Sequence, residues 1–103
     1  GLYGTMLSQV AEMQQGSTLS VSAHAIMLDG GVMIAVLRKG RLHFANVFRA
    51  AGNADKLYFI LYAWKTLSLD AWHDSCTLYG ASEDLYNELC QYLAHVEMKE
   101  LSV

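Results

Sequence analysis

Asp70-Ala71-Trp72-His73-Asp74 is the densest group of ligating and proton-transferring side chains in this sequence. Two carboxylates and an imidazole are donor types that zinc takes. A closed site needs further ligands brought to the same point, and His24, His43 and His95 fall on other elements. The pattern therefore predicts a solvated polar loop. Cys76 and Cys90 could act as nucleophiles only beside a base and near an oxyanion site, and neither has such neighbours or a metal-type spacing. Cys76 lies in an apolar run and Cys90 on a helical pattern. Both read as buried free thiols, which suits a reducing compartment. Asp29-Gly30-Gly31 sets a flexible glycine pair beside an acid. Backbone N–H groups of such a turn can reach phosphate oxygens, but Asp-Gly is also a strong hairpin signal in its own right.

Whatever positions these groups must be one domain, since the chain has 103 residues. Hydrophobic residues make up 53% and charged residues 17%, enough apolar material for a core and too much for a disordered chain. A net charge of -3 leaves no basic surplus to neutralise phosphates, which excludes an ordinary nucleic-acid binder. No apolar run approaches the ~20 residues that span a bilayer, and no secretory signal is visible. A cytoplasmic protein that does not bind membranes is the expectation. Proline is absent, where a chain of this length ordinarily holds about five. That suits strands, helices and tight turns without a rigid linker.

Met6, Val10 and Met13, with Leu7 beside them, form one helical stripe, so the spacing predicts an amphipathic helix over 2–15 that ends at Gly16-Ser17. Residues 18–28 alternate. Leu19, Val21, Ala23, Ala25 and Met27 share one face, while Ser20, Ser22 and His24 share the other before Ile26 and Leu28. This predicts a strand that starts half-exposed and finishes buried. A tight turn at Asp29-Gly30-Gly31 leads to the apolar strand Val32 to Leu37, and Arg38-Lys39-Gly40-Arg41 is a second turn. Its three charges read as a solvated turn. The third strand, Arg41 to Arg49, sets Leu42, Phe44, Asn46 and Phe48 on one face. Leu57, Ile60, Leu61, Trp64 and Leu67 mark a helix over 55–68, with Asn53 as its expected N-cap. A short strand at 75–79 runs into Gly80-Ala81-Ser82 and a second helix capped by Ser82, with Leu85, Leu89, Tyr92, Leu93 and Val96 as its stripe. A last strand is expected at 97–101.

The order β-β-β-α-β-α-β implies an α/β fold with a mixed five-stranded sheet. Right-handed crossovers set the helix-linked strands beside the first one, in the spatial order 3-2-1-4-5. This is the ribonuclease H-like arrangement, with an extra N-terminal helix. The stretch Ala25–Phe48 resembles the opening hairpin of an actin-like ATPase subdomain, and Leu78-Tyr79-Gly80-Ala81-Ser82 is similar to that group's adenosine-contacting turn. Asn46-Val47-Phe48 followed by Asp55-Lys56-Leu57-Tyr58-Phe59 looks like the Asn-x-Phe strand end and Asp-x-x-Tyr-Tyr/Phe helix start of a bacterial family of unknown function with a degenerate actin-like ATPase fold. The resemblance covers about 18–101. It implies that residues 18–103 form the ribonuclease H-like domain of a C-terminal half. Residues 1–17 would then be the connection from an N-terminal half.

The resemblance also names the places where a nucleotide would sit, namely Asp29, Gly30, Gly31, Gly80, Ala81 and Ser82. Such a phosphate hairpin needs an acid for metal-bound water and a glycine-rich turn with Ser or Thr. Here Val32, Met33 and Ile34 follow the turn, so the hydroxyls are missing. Nuclease chemistry needs converging carboxylates, and the first strand carries Ser22, His24 and Ala25 where one would stand. The expectation is a non-catalytic interaction domain without cofactor or metal. Its partner would be a protein, either a missing half or a second copy, met through some of Tyr58, Tyr62, Trp72 and Tyr86, since Tyr and Trp are enriched at interfaces. The alternative is a nucleotide-binding ATPase half completed by another domain or subunit.

Overall fold

Val32 to Leu37, apolar at every position, forms an interior strand because both of its faces are buried. The computed structural model describes residues 21–101. The expected helix over 2–15 and the start of the first strand at 18–20 lie outside the described residues. The elements in chain order are β1 (Val21–Leu28), β2 (Gly31–Arg38), β3 (Arg41–Arg49), α1 (Asn53–Thr66), β4 (Ser75–Tyr79), α2 (Glu83–Leu89) and β5 (His95–Lys99). They build one five-stranded sheet in the order β3-β2-β1-β4-β5. The meander pairs antiparallel, while β4 runs parallel to β1 and β5 parallel to β4. The expected α/β mixed sheet and its strand order are both present.

The turns explain the register. Leu28 pairs with Gly31 and Arg38 with Arg41, so each hairpin loop has two residues between paired positions. At the second turn Lys39 and Gly40 have φ of 52° and 75°, the doubly positive combination that follows the natural twist of a hairpin. Gly31 is held by space. A Cβ there would lie 2.9 Å from the Phe48 carbonyl oxygen on the neighbouring strand, so the close approach of β3 to β2 needs glycine.

Both helices pack on one face of the sheet. Ile60, Ala63 and Trp64 of α1 and Leu85 and Leu89 of α2 close over Ala23, Ala25, Val32, Ile34, Val36, Cys76 and Leu78. The other face carries a separate cluster of Ile26, Met33, Ala35, Leu37 and Tyr79.

Several local expectations are corrected. Helix α1 starts at Asn53 and its N-cap is Gly52, with no side-chain cap bond. Asn53 is already the first helical residue, and its side-chain amide N–H donates to the Ser82 hydroxyl at 3.0 Å. The helix ends at Thr66, earlier than the expected 68, in a closing motif where Leu69 N–H donates to Trp64 O and Ser68 N–H to Lys65 O. Ser68 takes the left-handed position of that motif with φ 55°, and Leu69 is tucked into the core. Arg38 donates to the Leu67 carbonyl at 3.1 Å, a cation at the negative end of the helix. Along β3 a register shift between Val36 and Leu37 pairs Val36 with Phe44 but Leu37 with Leu42. One extra residue therefore turns Leu42 to the face opposite Phe44 and leaves it exposed. Helix α2 ends at Leu89, so Tyr92 and Val96 are not on it, and β5 begins at His95 rather than 97. Ser22 and His24 are buried at 5% and 7%, so β1 is not half-exposed there.

Candidate functional site

The sheet has one topological switch point. On one side of β1 lies its antiparallel partner β2, on the other its parallel partner β4. In open α/β sheets ligands bind beyond the carboxyl ends of the strands at such a point. The residues expected there do converge on that edge. Asp29 and Gly30 follow β1, Gly31 opens β2, and Gly80-Ala81-Ser82 follows β4. A Cβ on Gly80, whose φ is 75°, would lie 3.9 Å from the Cβ of Met27 at the end of β1. Gly80 N–H donates to the Lys99 carbonyl at 3.0 Å, and Ala50 N–H to the Gly30 carbonyl at 3.1 Å. The helix entries are tied as well. The Ser82 hydroxyl accepts from Leu85 N–H at 3.2 Å and from the Asn53 side-chain amide at 3.0 Å. Asp29 and Gly30 are exposed, whereas Gly31 is buried.

Polar groups also gather on the sheet face away from the helices, outside the turns that the sequence singles out. Ser22, His24 and Thr77 are the buried polar residues among those described. Ser22 Oγ lies 3.0 Å from His24 Nε2, and Tyr79 Oη lies 2.9 Å from His24 Nδ1. His24 and Tyr79 also stack at 5.8 Å between ring centres. Burial, helped by the Lys99 ammonium, lowers the His24 pKa to about 4, so the ring is neutral at pH 7. Around this chain the register sets Ser75, Thr77 and Tyr79 of β4 beside His95, Glu97 and Lys99 of β5. The signal was the i, i+2 spacing of Ser22 and His24 on one face of a strand. Alternation alone does not say which face is covered, so that spacing fits a solvent-facing row equally well.

The loop Asp70–Asp74 is the expected solvated turn. Asp70 accepts from Trp72 N–H at 2.8 Å and pairs with His73 at 3.1 Å, both side chains exposed. The His73 hydrogen bond lowers the Asp70 pKa, and Asp70 raises that of His73. Among the described residues no group of three or more His, Cys, Asp or Glu side chains is arranged to hold a metal ion. Burial pushes the Cys76 thiol up to about 12, which makes it inert as a nucleophile. Cys90, expected to be buried, is exposed because it lies at the C-cap of α2.

The expected interface residues lie on three different elements. Tyr58 and Tyr62 stand on the outer face of α1, 60% and 46% exposed, with their rings stacked 6.1 Å apart. Tyr58 meets Phe59 edge-on, and Phe59 stacks on Phe48 at 4.8 Å, so the exposed pair is anchored to the core. Trp72, 76% exposed, projects from the loop before β4. Tyr86, on α2, is half-buried against the core. Tyr92, assigned to a buried stripe from the sequence, is 56% exposed because the helix stops before it.

No curated protein matches the sequence. Among solved structures, a Bacteroides thetaiotaomicron protein described as having an actin-like ATPase fold and unknown function is 25% identical, with a TM-score of 0.85 over 92% of this chain and 39% of that one. Pelota of Archaeoglobus fulgidus is 14% identical, with a TM-score of 0.56 over 94% of this chain and 31% of that one, a likeness of fold alone. The chain thus spans about two fifths of the Bacteroides protein. The five-stranded sheet and the placing of both helices are those of that actin-like ATPase fold. The family model that describes proteins of unknown function, DUF3822, matches residues 3–96, and the chain belongs to that family.

Proposed function

We propose that this chain is a docking half within the actin-like ATPase fold, one that binds another domain or a second copy of itself and does not hydrolyse nucleotide. The observation that carries the reading is the state of the switch-point edge. The β1–β2 loop has two residues between paired positions, too short to wrap a phosphate in successive N–H groups. Val32, Met33 and Ile34 follow it and offer no hydroxyl to a metal or phosphate. The Ser82 hydroxyl already serves as helix cap and as acceptor for Asn53. Docking is supported by the stacked, exposed Tyr58–Tyr62 pair, since aromatic side chains anchored at their base make strong interface contacts at low entropic cost.

A second reading, a nucleotide-binding half completed by another domain, is favoured by one observation. Asp29–Gly31 and Gly80–Ser82 meet at the same edge, where such ligands bind. Thermal melting with magnesium and ATP separates the two. The docking reading expects no shift. Binding at a hundredfold excess over the dissociation constant would add about 2.7 kcal/mol, a rise of several degrees, and would overturn the loss of the nucleotide site.

Docking to a second copy has its own check. Sedimentation over a concentration series should show association that the double substitution Tyr58→Ser, Tyr62→Ser weakens at least tenfold. A chain that remains monomeric at every concentration removes the second copy as partner.

A further inference from the structure

Charge is segregated onto the two edges of the sheet. Between Asp29 and Asp55 the sequence carries Arg38, Lys39, Arg41 and Arg49 and no acid. These lie at the β2–β3 turn and on β3, one edge of the sheet. From Glu83 to Glu100 it carries Glu83, Asp84, Glu88, Glu97 and Glu100, with Lys99 as the one cation. These lie on α2 and on or beside β5, the other edge. All of these charges except Arg38 are exposed. Among the described residues no Lys or Arg is ion-paired. The β3 edge also presents backbone groups. Ala50 N–H donates to the Gly30 carbonyl at 3.1 Å, one step beyond the pairing of Arg49 with Gly31. Alternate residues face the neighbouring strand in an antiparallel ladder, so the backbone groups of Ala45, Val47 and Arg49 point outward. Val47 N–H is met by Asn46 Oδ1 at 2.9 Å, a local bond that an added strand can replace.

Charges on an edge ordinarily keep other chains off. Here the two edges have opposite signs. Two β3 edges meeting about a twofold axis would set Arg41 near Arg49 of the other copy, and two β5 edges would set acids against acids. Like charges side by side destabilise a strand pair. A β3 edge that meets a β5 edge pairs opposite charges instead. The faces agree as well. β3 and β5 run in the same direction. Phe44 and Phe48 of β3 and Val96 of β5 pack against the cluster under the helices, and Met98, the register partner of Leu78, lies on that side too. A copy added in the same sense continues these apolar rows. It also brings its α2 toward the aromatic run that leads from Phe48 through Phe59 to the exposed Tyr58 and Tyr62. We propose that a second copy of this chain docks head to tail, its β5 edge and α2 against the β3 edge and the Tyr58–Tyr62 pair of the first. This inference rests on the docking reading above and names its partner and its surface.

Sedimentation of the full chain at about 0.01 M and about 1 M salt, where the screening length falls from about 30 Å to about 3 Å, tests the contact. Association should appear at low salt and weaken at least tenfold at high salt. Arg41→Glu with Arg49→Glu should weaken the low-salt association at least tenfold, and so should Glu97→Lys with Glu100→Lys. An equal mixture of the two variants should restore it, because the unchanged β3 edge of one meets the unchanged β5 edge of the other. Ala45→Pro removes an outward N–H without breaking a bond to β2 and should weaken association too. Melting curves that match the parent show that each variant is folded. A parent that stays monomeric at low salt overturns the second copy as partner. Association that Tyr58→Ser with Tyr62→Ser weakens, but that charge reversal leaves unchanged, overturns the edge contact while the docking reading stands. Folded reversal variants that stay dispersed when mixed overturn it as well.

Discussion

Between pH 6.5 and about 4 the fold is expected to lose about 3 kcal/mol through His24 alone. The folded chain keeps this ring neutral, because protonation would set a charge in a buried site beside Lys99. Hydrogen bonding does not cause the shift. A neutral ring donates one N–H and accepts at the other nitrogen, and the two hydroxyls it meets can serve either arrangement. The unfolded chain takes up the proton near 6.5, so unfolding binds a proton anywhere between the two values. Stability is therefore complete above 6.5 and falls by about 1.4 kcal/mol per pH unit until the folded pKa is reached. The exposed Asp70–His73 pair adds little, being screened by water, and its raised histidine acts in the opposite sense, favouring the fold at lower pH. Urea midpoints at pH 7, 5.5 and 4.5 measure the slope. His24→Gln should lose most of it. Parallel pH profiles for the parent and the variant would show that His24 carries no proton linkage.

Leu78→Ala is expected to cost about 3 kcal/mol, with a fall in Tm of roughly 10 °C or more. Leu78 is fully buried on β4, between Ala25 of β1 and Met98 of β5, and it faces the helices. Its loss opens a cavity where the crossover strand meets the core. The neighbours cannot readily refill it, because Ala23 and Ala25 on β1 are already small. Tyr62→Ala serves as control. It removes a larger side chain from the exposed face of α1 and should change stability by no more than about 0.5 kcal/mol. Denaturant unfolding of the two variants side by side decides the matter. Equal losses would mean that β4 does not carry the core as described.

Much of the architecture was legible because it depends on local patterns. Alternation in β1 and β3, the continuous apolar run of β2, and the Asp-Gly and Lys-Gly turns mark the meander. The stripe from Leu57 to Trp64 marks α1. The strand–turn–helix run from Ser75 through Ser82 marks the second crossover, and Ser82 is the cap that its residue type implied. Errors arose where a choice depended on a distant contact. Asn53 is a good capping residue, but the helix starts one residue earlier, after Gly52, and the Asn53 amide N–H donates to Ser82, 29 positions away. Leu42 follows the alternation of Phe44 until a bulge, fixed by pairing with Leu37, turns it over. Tyr92 fits a helical stripe that α2 does not extend to reach.

The candidate site divides in the same way. Residue types along the chain determined that Asp29–Gly31 and Gly80–Ser82 are turns next to strand ends, and that no hydroxyl follows the first. Only the tertiary structure decided that both turns meet at one edge, because parallel pairing of β1 with β4 brings them there. It also decided the fate of Ser22 and His24. A strand pattern specifies which residues share a face, since successive side chains point oppositely. It does not specify what lies over that face. Both sides of this sheet are buried along β1 and β2, so a row that reads as solvent-facing became a buried hydrogen-bonded chain to Tyr79.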